Sequence, residues 1–179
     1  MTLIPAGVTI RHVREEDAAA LLELHLALDR ETSFMLLEPG ERSTDEDGVR
    51  GQIRATLARP NQMVLIAEGA ERLIGFLAIL GGVYRRNRHN AHLVMGVLQE
   101  VSGRGVGGAL LSEGIRWAEG AGINRLELTV MAHNERAVRL YERMGFVREG
   151  IRRRALLVGG TWVDEYFMAR LSPLPSRPE

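Results

Sequence analysis

Four glycines stand within six residues of VSGRGVGGALL, the stretch from Val101 to Leu111. An apolar run precedes the glycines and apolar residues at helical spacing follow them, so we predict a tight turn from a strand into a helix. Glycine lets a backbone approach phosphate oxygens closely, and the free N–H groups at a helix start favour an anion. The stretch therefore indicates a phosphate-bearing ligand, with a plain strand-to-helix turn as the alternative.

Gly103, Gly105 and Gly108 also match the dinucleotide-binding pattern G-x-G-x-x-G. That fingerprint normally follows the first strand of a βαβ unit, and further such units come after it. Here about 100 residues precede the glycines and about 70 follow them. The acidic residue expected about 20 positions later would be Glu127, which falls inside a predicted strand instead of at its end. The context argues against a dinucleotide and leaves the pyrophosphate of coenzyme A as the competing interpretation.

The pattern of apolar residues predicts elements in the order β α α β β β α β α β β. Period-two or β-branched runs predict about seven strands, at residues 8–13, 63–69, 73–82, 91–98, 125–130 and, turning at Gly159 and Gly160, two within 146–171. Apolar residues at helical spacing predict about four helices, within residues 14–29, 43–57, 106–120 and 134–144. Ser43 and Glu46 form a capping box for the second helix. Local strand pairing followed by strand–helix alternation predicts an α/β (mixed α+β) fold with one mixed, mostly antiparallel sheet. We expect a single domain over residues 1–171 and a disordered tail over residues 172–179.

Composition narrows the partners of this 179-residue chain. Lys+Arg and Asp+Glu are both 23, so no net charge draws the protein to nucleic acid or to an anionic membrane. Cysteine is absent, which excludes disulfides and a cysteine nucleophile and fits a reducing cytoplasm. His89 and His92 form H-x-x-H without a third ligand, so we predict no metal site. We find no signal-peptide pattern and no run of about 18 apolar residues, and we expect a cytoplasmic protein without a membrane span.

The stretch VLQEVSGRGVGGALL resembles the acetyl-coenzyme A motif of the GNAT superfamily of N-acetyltransferases. The motif, Gln/Arg-x-x-Gly-x-Gly/Ala, is met by Gly105 and Gly107, while Ser102 stands at the position of the Gln or Arg. A second segment, NERAVRLYERMGF from Asn134 to Phe146, is similar to the family pattern Asn-x-x-Ala-x-x-Leu-Tyr-x-x-x-Gly-Phe. The predicted order of elements resembles the family fold over residues 8–171. The ending GTWVDEYFMARL resembles a bacterial branch that acts on amino acids, polyamines or small toxic amines.

The resemblance implies direct transfer of an acetyl group from acetyl-CoA to a primary amine, without a metal. Acetyl-CoA would bind the glycine stretch, the strand before it and the helix after Asn134, at Met95, Gly96, Val97, Ser102, Gly103, Arg104, Gly105, Val106, Gly107, Gly108, Ala109, Asn134 and Tyr141. Its pantetheine arm would lie between strands 93–98 and 126–130, which should diverge there, and strand backbone would stabilise the oxyanion. Tyr141, at the family's general-acid position, and Asn134 are the predicted catalytic residues. The helical spacing of Tyr141 is also consistent with a purely structural role in the core.

The sequence leaves the base, the phosphate contacts and the acceptor open. The general base could be His92, Glu68, Glu165 or a water chain. The basic runs Arg85–His89 and Arg152–Arg154 could contact the 3′-phosphate of the cofactor, although solvated hairpin positions are the simpler interpretation. We expect acetyl-CoA and a small amine as partners and allow for a homodimer. The alternatives are a transferase acting on protein N-termini or lysines, and a non-catalytic acyl-CoA-binding sensor.

Overall fold

The computed structural model describes residues 4–172, which form one seven-stranded sheet with helices packed on its faces. The elements are β1 (Thr9–His12), α1 (Ala18–Glu31), α2 (Glu46–Leu57), β2 (Gln62–Glu68), β3 (Leu73–Gly81), β4 (Asn90–Val97), α3 (Val106–Gly120), β5 (Arg125–Met131), α4 (Glu135–Arg143), β6 (Val147–Val158) and β7 (Thr161–Leu171). The predicted order and the mixed α/β fold are confirmed. Apart from Ser172, the predicted tail lies outside the described residues, and the single-domain boundary stays a prediction. No helix within residues 4–172 has the length and apolar character that crossing a bilayer requires.

The sheet runs β1-β2-β3-β4-β5-β7-β6, and among the pairings of residues 4–172 the parallel one joins β4 to β5. These two strands pair only near their starts, Asn90–His92 with Arg125–Glu127. From Leu93 onward β4 parts from β5, so the sheet opens into a V between its two halves. The predicted divergence of these strands is confirmed, and we call the space between them the opening.

Backbone groups of β4 face either β3 or the opening. At the start of β4, the carbonyl of Asn90 accepts the N–H of Gly82, the residue after β3. Directly after β4, the N–H of Leu98 donates to the carbonyl of Ile74 in β3. Because these groups alternate along an antiparallel strand, the N–H of Gly96 faces β3 as well. The N–H groups of Met95 and Val97 face the opening instead. Of the three β4 residues predicted to contact the cofactor, two therefore present polar backbone to the opening.

Two close approaches hold helices against the two faces of β3 and β4. On one face, a Cβ added to Gly114 of α3 would lie 2.6 Å from Leu77. On the other face, a Cβ added to Gly96 would lie 2.6 Å from Leu28 of α1 and 2.9 Å from Phe76. Glycine inside a strand accompanies either a bulge or a close approach, and the regular β3–β4 register identifies the second at Gly96.

The second helix begins later than its sequence predicts. Asp45 is its N-cap and Glu46 its first residue, so the predicted capping box does not form. The Ser43 hydroxyl instead accepts the N–H of Asp45 at 3.2 Å within the preceding turn. Ile53 of α2 is buried but Leu57 is 47% exposed, because α2 lies at the surface against α1 and β2.

Candidate active site

A cavity of about 1460 Å³ occupies the opening, and most of the residues predicted to bind the cofactor line it. Its walls are the separated ends of β4 and β5, the glycine turn, α4, and α1 with the segment that follows it. The predicted residues found there are Met95, Gly96, Val97, Ser102, Gly103, Gly105, Gly107, Gly108, Asn134 and Tyr141. Val106 and Ala109 point into the core instead, at 2% and 3% exposure. Arg104 lines a smaller hollow of about 330 Å³ behind the turn.

The glycine turn leaves a row of backbone N–H groups unused. Gly103 and Gly105 have φ angles of 83° and 91°, which L side chains rarely adopt, and α3 starts directly after them. The N–H groups of Ser102, Arg104 and Ala109 bond to carbonyls of the turn and its flanks. Between Ser102 and Ala109, the N–H groups of Gly103, Gly105, Val106, Gly107 and Gly108 have no backbone acceptor within residues 4–172. Donors placed in this way at a helix start suit an anion such as pyrophosphate.

Three arginines of α4 line the cavity beside the glycine turn. Arg136, Arg139 and Arg143 are spaced i, i+3 and i+7, so they share one face of the helix. Nη2 of Arg136 lies 3.6 Å from the position that a Cβ on Gly103 would take. Sequence reasoning missed these residues, although their helical spacing after the Asn134 cap is a readable signal. Arg136 places positive charge next to the unused N–H groups, whereas Nη1 of Arg139 donates a hydrogen bond to Glu135 at 2.8 Å.

The basic runs that the sequence singled out lie elsewhere. Arg85–His89 belongs to the loop between β3 and β4, at the far end of β4 from the glycine turn, and does not line the cavity. Arg152 lines the cavity, but its Nη1 donates a hydrogen bond to Glu165 at 2.8 Å. Arg136 and Arg143 of α4 are therefore better placed than either run to meet a cofactor phosphate.

Asn134 and Tyr141 are both positioned by α4. The side-chain oxygen of Asn134 accepts the N–H of Ala137 at 3.2 Å and so caps the helix. Tyr141 is buried, and its ring centroid lies 5.7 Å from that of Phe146. Burial raises the pKa of Tyr141 to about 12, because a phenolate would lose its hydration there. The hydroxyl therefore stays protonated at neutral pH and is able to donate a hydrogen bond.

The three candidate bases lie at different places in the structure, and two of them line the cavity. His92 is the last β4 residue paired with β5, and it lines the cavity. Glu165 on β7 is buried and also lines the cavity, beside Arg152. Glu68 does not line it, and it accepts a hydrogen bond from Nε of Arg11 at 3.0 Å near β1. Within residues 4–172, no cluster of three or more His, Asp or Glu side chains is placed to hold a metal ion.

His133 is a lining residue that sequence reasoning missed. Its ring centroid lies 5.3 Å from that of Phe34, which belongs to the segment after α1. The contact joins that segment to the turn before α4, so it bridges the two halves of the sheet. The position of His133 directly before the Asn134 cap was the available signal, but its partner Phe34 could not be read from the sequence.

Residues 21–146 match the sequence model of the Acetyltransferase (GNAT) family. The chain belongs to this family. GNAT enzymes use acetyl-CoA as the acetyl donor, so the protein is an acetyl-CoA-dependent N-acetyltransferase. The matched residues include the glycine turn, the opening, Asn134 and Tyr141.

Similar proteins agree on the family and differ in their acceptors. The chain is 28% identical over 171 residues to the L-amino acid N-acetyltransferase AaaT of Escherichia coli (strain K12), an alignment that covers 92% of this chain and 98% of the relative. It is 36% identical over 125 residues to the N-alpha-acetyltransferase RimI of Mycobacterium tuberculosis, covering 67% and 73%. A solved acetyltransferase of the GNAT family from Streptococcus pneumoniae has a TM-score of 0.89 and 30% identity, covering 92% of this chain and 99% of that one.

Because the pKa of Tyr141 is raised, the stability of the folded protein decreases with pH in the alkaline range. Below about pH 10 the phenol is protonated in the folded and the unfolded chain alike, so it adds no pH dependence. Between about pH 10 and about pH 12 the unfolded chain loses this proton and the folded protein keeps it. The free energy of unfolding therefore falls by about 2–3 kcal/mol in total over this range. We expect urea unfolding to show a larger loss of stability for the wild type than for Tyr141→Phe over this range.

The composition of the chain suits this comparison. It contains no lysine and no cysteine, whose side chains would otherwise titrate near this range. Tyr84 and Tyr166 are present in both proteins, so their contributions cancel in the difference. Equal losses of stability in the two proteins would mean that Tyr141 ionises like an exposed phenol.

Proposed function

We propose that the protein transfers the acetyl group of acetyl-CoA to the primary amine of a small molecule, such as an amino acid, a polyamine or a toxic amine. The contact between Phe34 and His133 is the main support, because it bridges the opening on the side of α1 and the segment after it, where we place the acceptor. A peptide acceptor needs an open groove, and the segment from Thr32 to Arg42 lines the cavity where such a groove would run. A cavity bridged in this way favours a compact acceptor.

We assign acetyl-CoA to the glycine turn and the opening. The unused N–H groups of the turn would bind the pyrophosphate, and Arg136 and Arg143 would stand near the 3′-phosphate. The pantetheine arm would lie in the opening, where Met95 and Val97 offer their N–H groups as they would to a neighbouring strand. In this arrangement the arm takes the place of the missing β4–β5 pairing.

The reaction needs an oxyanion stabiliser and a partner for the leaving thiolate. The amine attacks the thioester carbonyl, a C–N bond forms, and an N–H of Met95 or Val97 would bind the resulting oxyanion. Collapse of this intermediate breaks the C–S bond and releases the thiolate of CoA, to which the Tyr141 hydroxyl would donate a hydrogen bond. A phenol of pKa about 12 is a weaker acid than a thiol of pKa about 8.5. Tyr141 therefore stabilises the thiolate, and solvent supplies the final proton.

The attacking amine must be neutral, and the base we favour is His92. The carboxylate of Glu165 already accepts a hydrogen bond from Arg152 at 2.8 Å. The side chain of His92 has no hydrogen-bond or ion-pair partner within the described residues and lines the cavity. It lies four positions along β4 from Gly96, a distance of about 13 Å at the usual rise of a strand. The proton would therefore reach His92 through water.

A transferase acting on protein N-termini is the second candidate, and the similarity to the RimI relative favours it. The family assignment argues against the non-catalytic sensor considered from the sequence.

β6 forms an edge of the sheet, and its Val147 and Ile151 are 60% and 55% exposed, which is compatible with the proposed homodimer. The homodimer and the cytoplasmic location stay predictions.

Turnover of acetyl-CoA over a matched panel of acceptors tests this function. The panel pairs amino acids, spermidine and short alkylamines with peptides that carry a free N-terminus or a lysine. We expect the best small amine to have a kcat/KM at least about tenfold above that of the best peptide, because the bridged opening excludes a longer chain. A peptide that outperforms every small amine would move the assignment to a protein acceptor.

Gly107→Val is expected to weaken acetyl-CoA binding at least about tenfold by calorimetry, a loss of about 1.4 kcal/mol or more. A Cβ at this position would lie 3.4 Å from Leu140 and 3.6 Å from Met95, so a methyl group fits, but the larger side chain would enter the space assigned to the cofactor. The control is Gly120→Val at the other end of α3, where an added Cβ meets no atom within 4 Å. Thermal melting checks that both variants fold. Unchanged affinity in the folded Gly107 variant would remove the turn from the cofactor site.

Tyr141→Phe is expected to lower kcat about 10–100-fold and to change KM for acetyl-CoA less than about threefold. The hydroxyl acts on charge that develops as the thiolate leaves, so its loss affects the transition state and not ground-state binding. Tyr166→Phe is the control, because this tyrosine of β7 does not line the cavity. Near wild-type turnover in Tyr141→Phe would leave this tyrosine with a structural role in the core.

A further inference from the structure

An ion pair lies at the acceptor end of the cavity, between α1 and the segment after it. Asp29 is 3% exposed, and its carboxylate accepts hydrogen bonds from Nε of Arg42 at 2.5 Å and from Nη2 at 2.9 Å. Arg42 lines the cavity, and 20% of its side chain is exposed. Its Nη1 makes no hydrogen bond within residues 4–172, so this nitrogen keeps its N–H groups for a ligand.

His25 provides a second unused polar group. It lies one helical turn before Asp29 on the same face of α1 and lines the same cavity. Its Nε2 is buried and has no hydrogen-bond partner in the described structure. Burial, reinforced by the charge of Arg42, lowers the pKa of His25 to about 4, so the ring is neutral at physiological pH. A buried polar atom of this kind calls for a partner, and a ligand in the cavity would supply one when the ring turns Nε2 towards it.

These two groups lie close to the place assigned to the acetyl group. Leu28, on the same turn of α1, packs against Gly96 beside the opening. Phe76 is the β3 partner of Gly96, and its ring meets that of His25 edge-on with centroids 4.5 Å apart. A small acceptor could therefore reach His25 and Arg42 at one end while its amine faces the thioester.

The wall beyond this cluster is apolar except for His92, the β4 partner of Leu80. Ala78 and Leu80 of β3 share one face of the sheet with Val94 of β4, and all three line the cavity. Leu80 and Val94 are 41% and 36% exposed, so no helix within residues 4–172 covers this part of the face. Met35 and Leu36 contribute further apolar surface from the segment after α1. This wall suits an aliphatic or aromatic side chain.

We propose that the acceptor is an α-amino acid with an apolar side chain, whose carboxylate is bound by the Nη1 N–H groups of Arg42 and by the Nε2–H tautomer of His25. This inference rests on the proposed small-amine function and narrows it. Asp29 acts as a positioning residue that holds the guanidinium at the cavity wall, and Leu80 and Val94 contact the side chain of the acceptor. A polyamine or alkylamine has no carboxylate and would leave both donors unpaired, so the site selects against it.

The test compares L-leucine with 3-methylbutylamine, which has the same side chain and amine but no carboxylate. Arg42→Gln is expected to lower kcat/KM for L-leucine at least about 30-fold and for 3-methylbutylamine less than about threefold, as the loss of a charged hydrogen bond predicts. Each variant is compared with the wild type on the same substrate, so the pKa difference between the two amines cancels. Arg50→Gln, at an exposed ion pair with Asp47 on α2, is the control and should leave both substrates unchanged. Equal losses of kcat/KM on both substrates would mean that Arg42 only holds the segment after α1 in place, and would overturn the proposal.

His25→Phe keeps an aromatic ring against Phe76 and removes Nε2, so it remains informative if Arg42→Gln fails to fold. It should lower kcat/KM for L-leucine about tenfold and spare 3-methylbutylamine, whereas an unchanged value for leucine would overturn the role of His25. L-Aspartate should be at least about tenfold poorer than L-leucine, and an equal or better rate with aspartate would refute the apolar wall.

Binding of L-leucine to the CoA-bound protein, measured by calorimetry, separates this inference from the proposed function. Turnover of 3-methylbutylamine by a protein that does not bind leucine would refute the inference and keep the function. If Arg42→Gln abolishes leucine binding but the protein acetylates no amine, the carboxylate site is supported and the proposed function is refuted. Leucine binding that Arg42→Gln and His25→Phe leave unchanged would also refute the carboxylate site.

Discussion

The early end of the β4–β5 pairing is the constraint on which the rest of the site depends. These strands are joined at three residue pairs, and beyond them the N–H groups of Met95 and Val97 have no neighbouring strand to bond. Polar backbone inside a protein needs a partner, so the opening is a slot for a ligand with alternating donors and acceptors. The glycine turn that follows β4 directly adds its own unused N–H groups. One interruption in a sheet thus creates two adjoining parts of the site that we propose for the cofactor.

The helices on the two faces of this opening divide the chemical tasks. α3 and α4 supply the N–H groups, arginines and buried hydroxyl that we assign to acetyl-CoA, while α1 and the segment after it supply the groups that we assign to the acceptor. Leu28 packs against Gly96, so the acceptor side is fixed to the same strand that receives the cofactor. Burial acts in opposite senses on the two titratable groups involved: it raises the pKa of Tyr141 to about 12 and lowers that of His25 to about 4. Both side chains are consequently uncharged at neutral pH, and both act through hydrogen bonds.

Local sequence patterns predicted the fold, and most of the residues that they assigned to the cofactor line one cavity. The glycine spacing and the segment from Asn134 to Phe146 each describe a turn or a helix together with the groups it carries, so both could be read without tertiary information. Val106 and Ala109 turn their side chains towards the core, where they are almost fully buried, so only their backbone could meet the cofactor. The acceptor side was not predictable in the same way. Arg42 and Asp29 are far from any motif, and their pairing depends on how the segment after α1 folds back on that helix.

The interrupted pairing also couples the cofactor to the stability of the whole fold. A ligand that binds only the folded state stabilises it by mass action, by about 2.7 kcal/mol at a concentration of 100 times Kd. If pantetheine replaces the missing strand contacts, the two halves of the sheet are held together most firmly when acetyl-CoA is abundant. The lifetime of this enzyme against unfolding and proteolysis would then rise and fall with the acetyl-CoA supply of the cell, so the amount of enzyme would follow the availability of its own substrate.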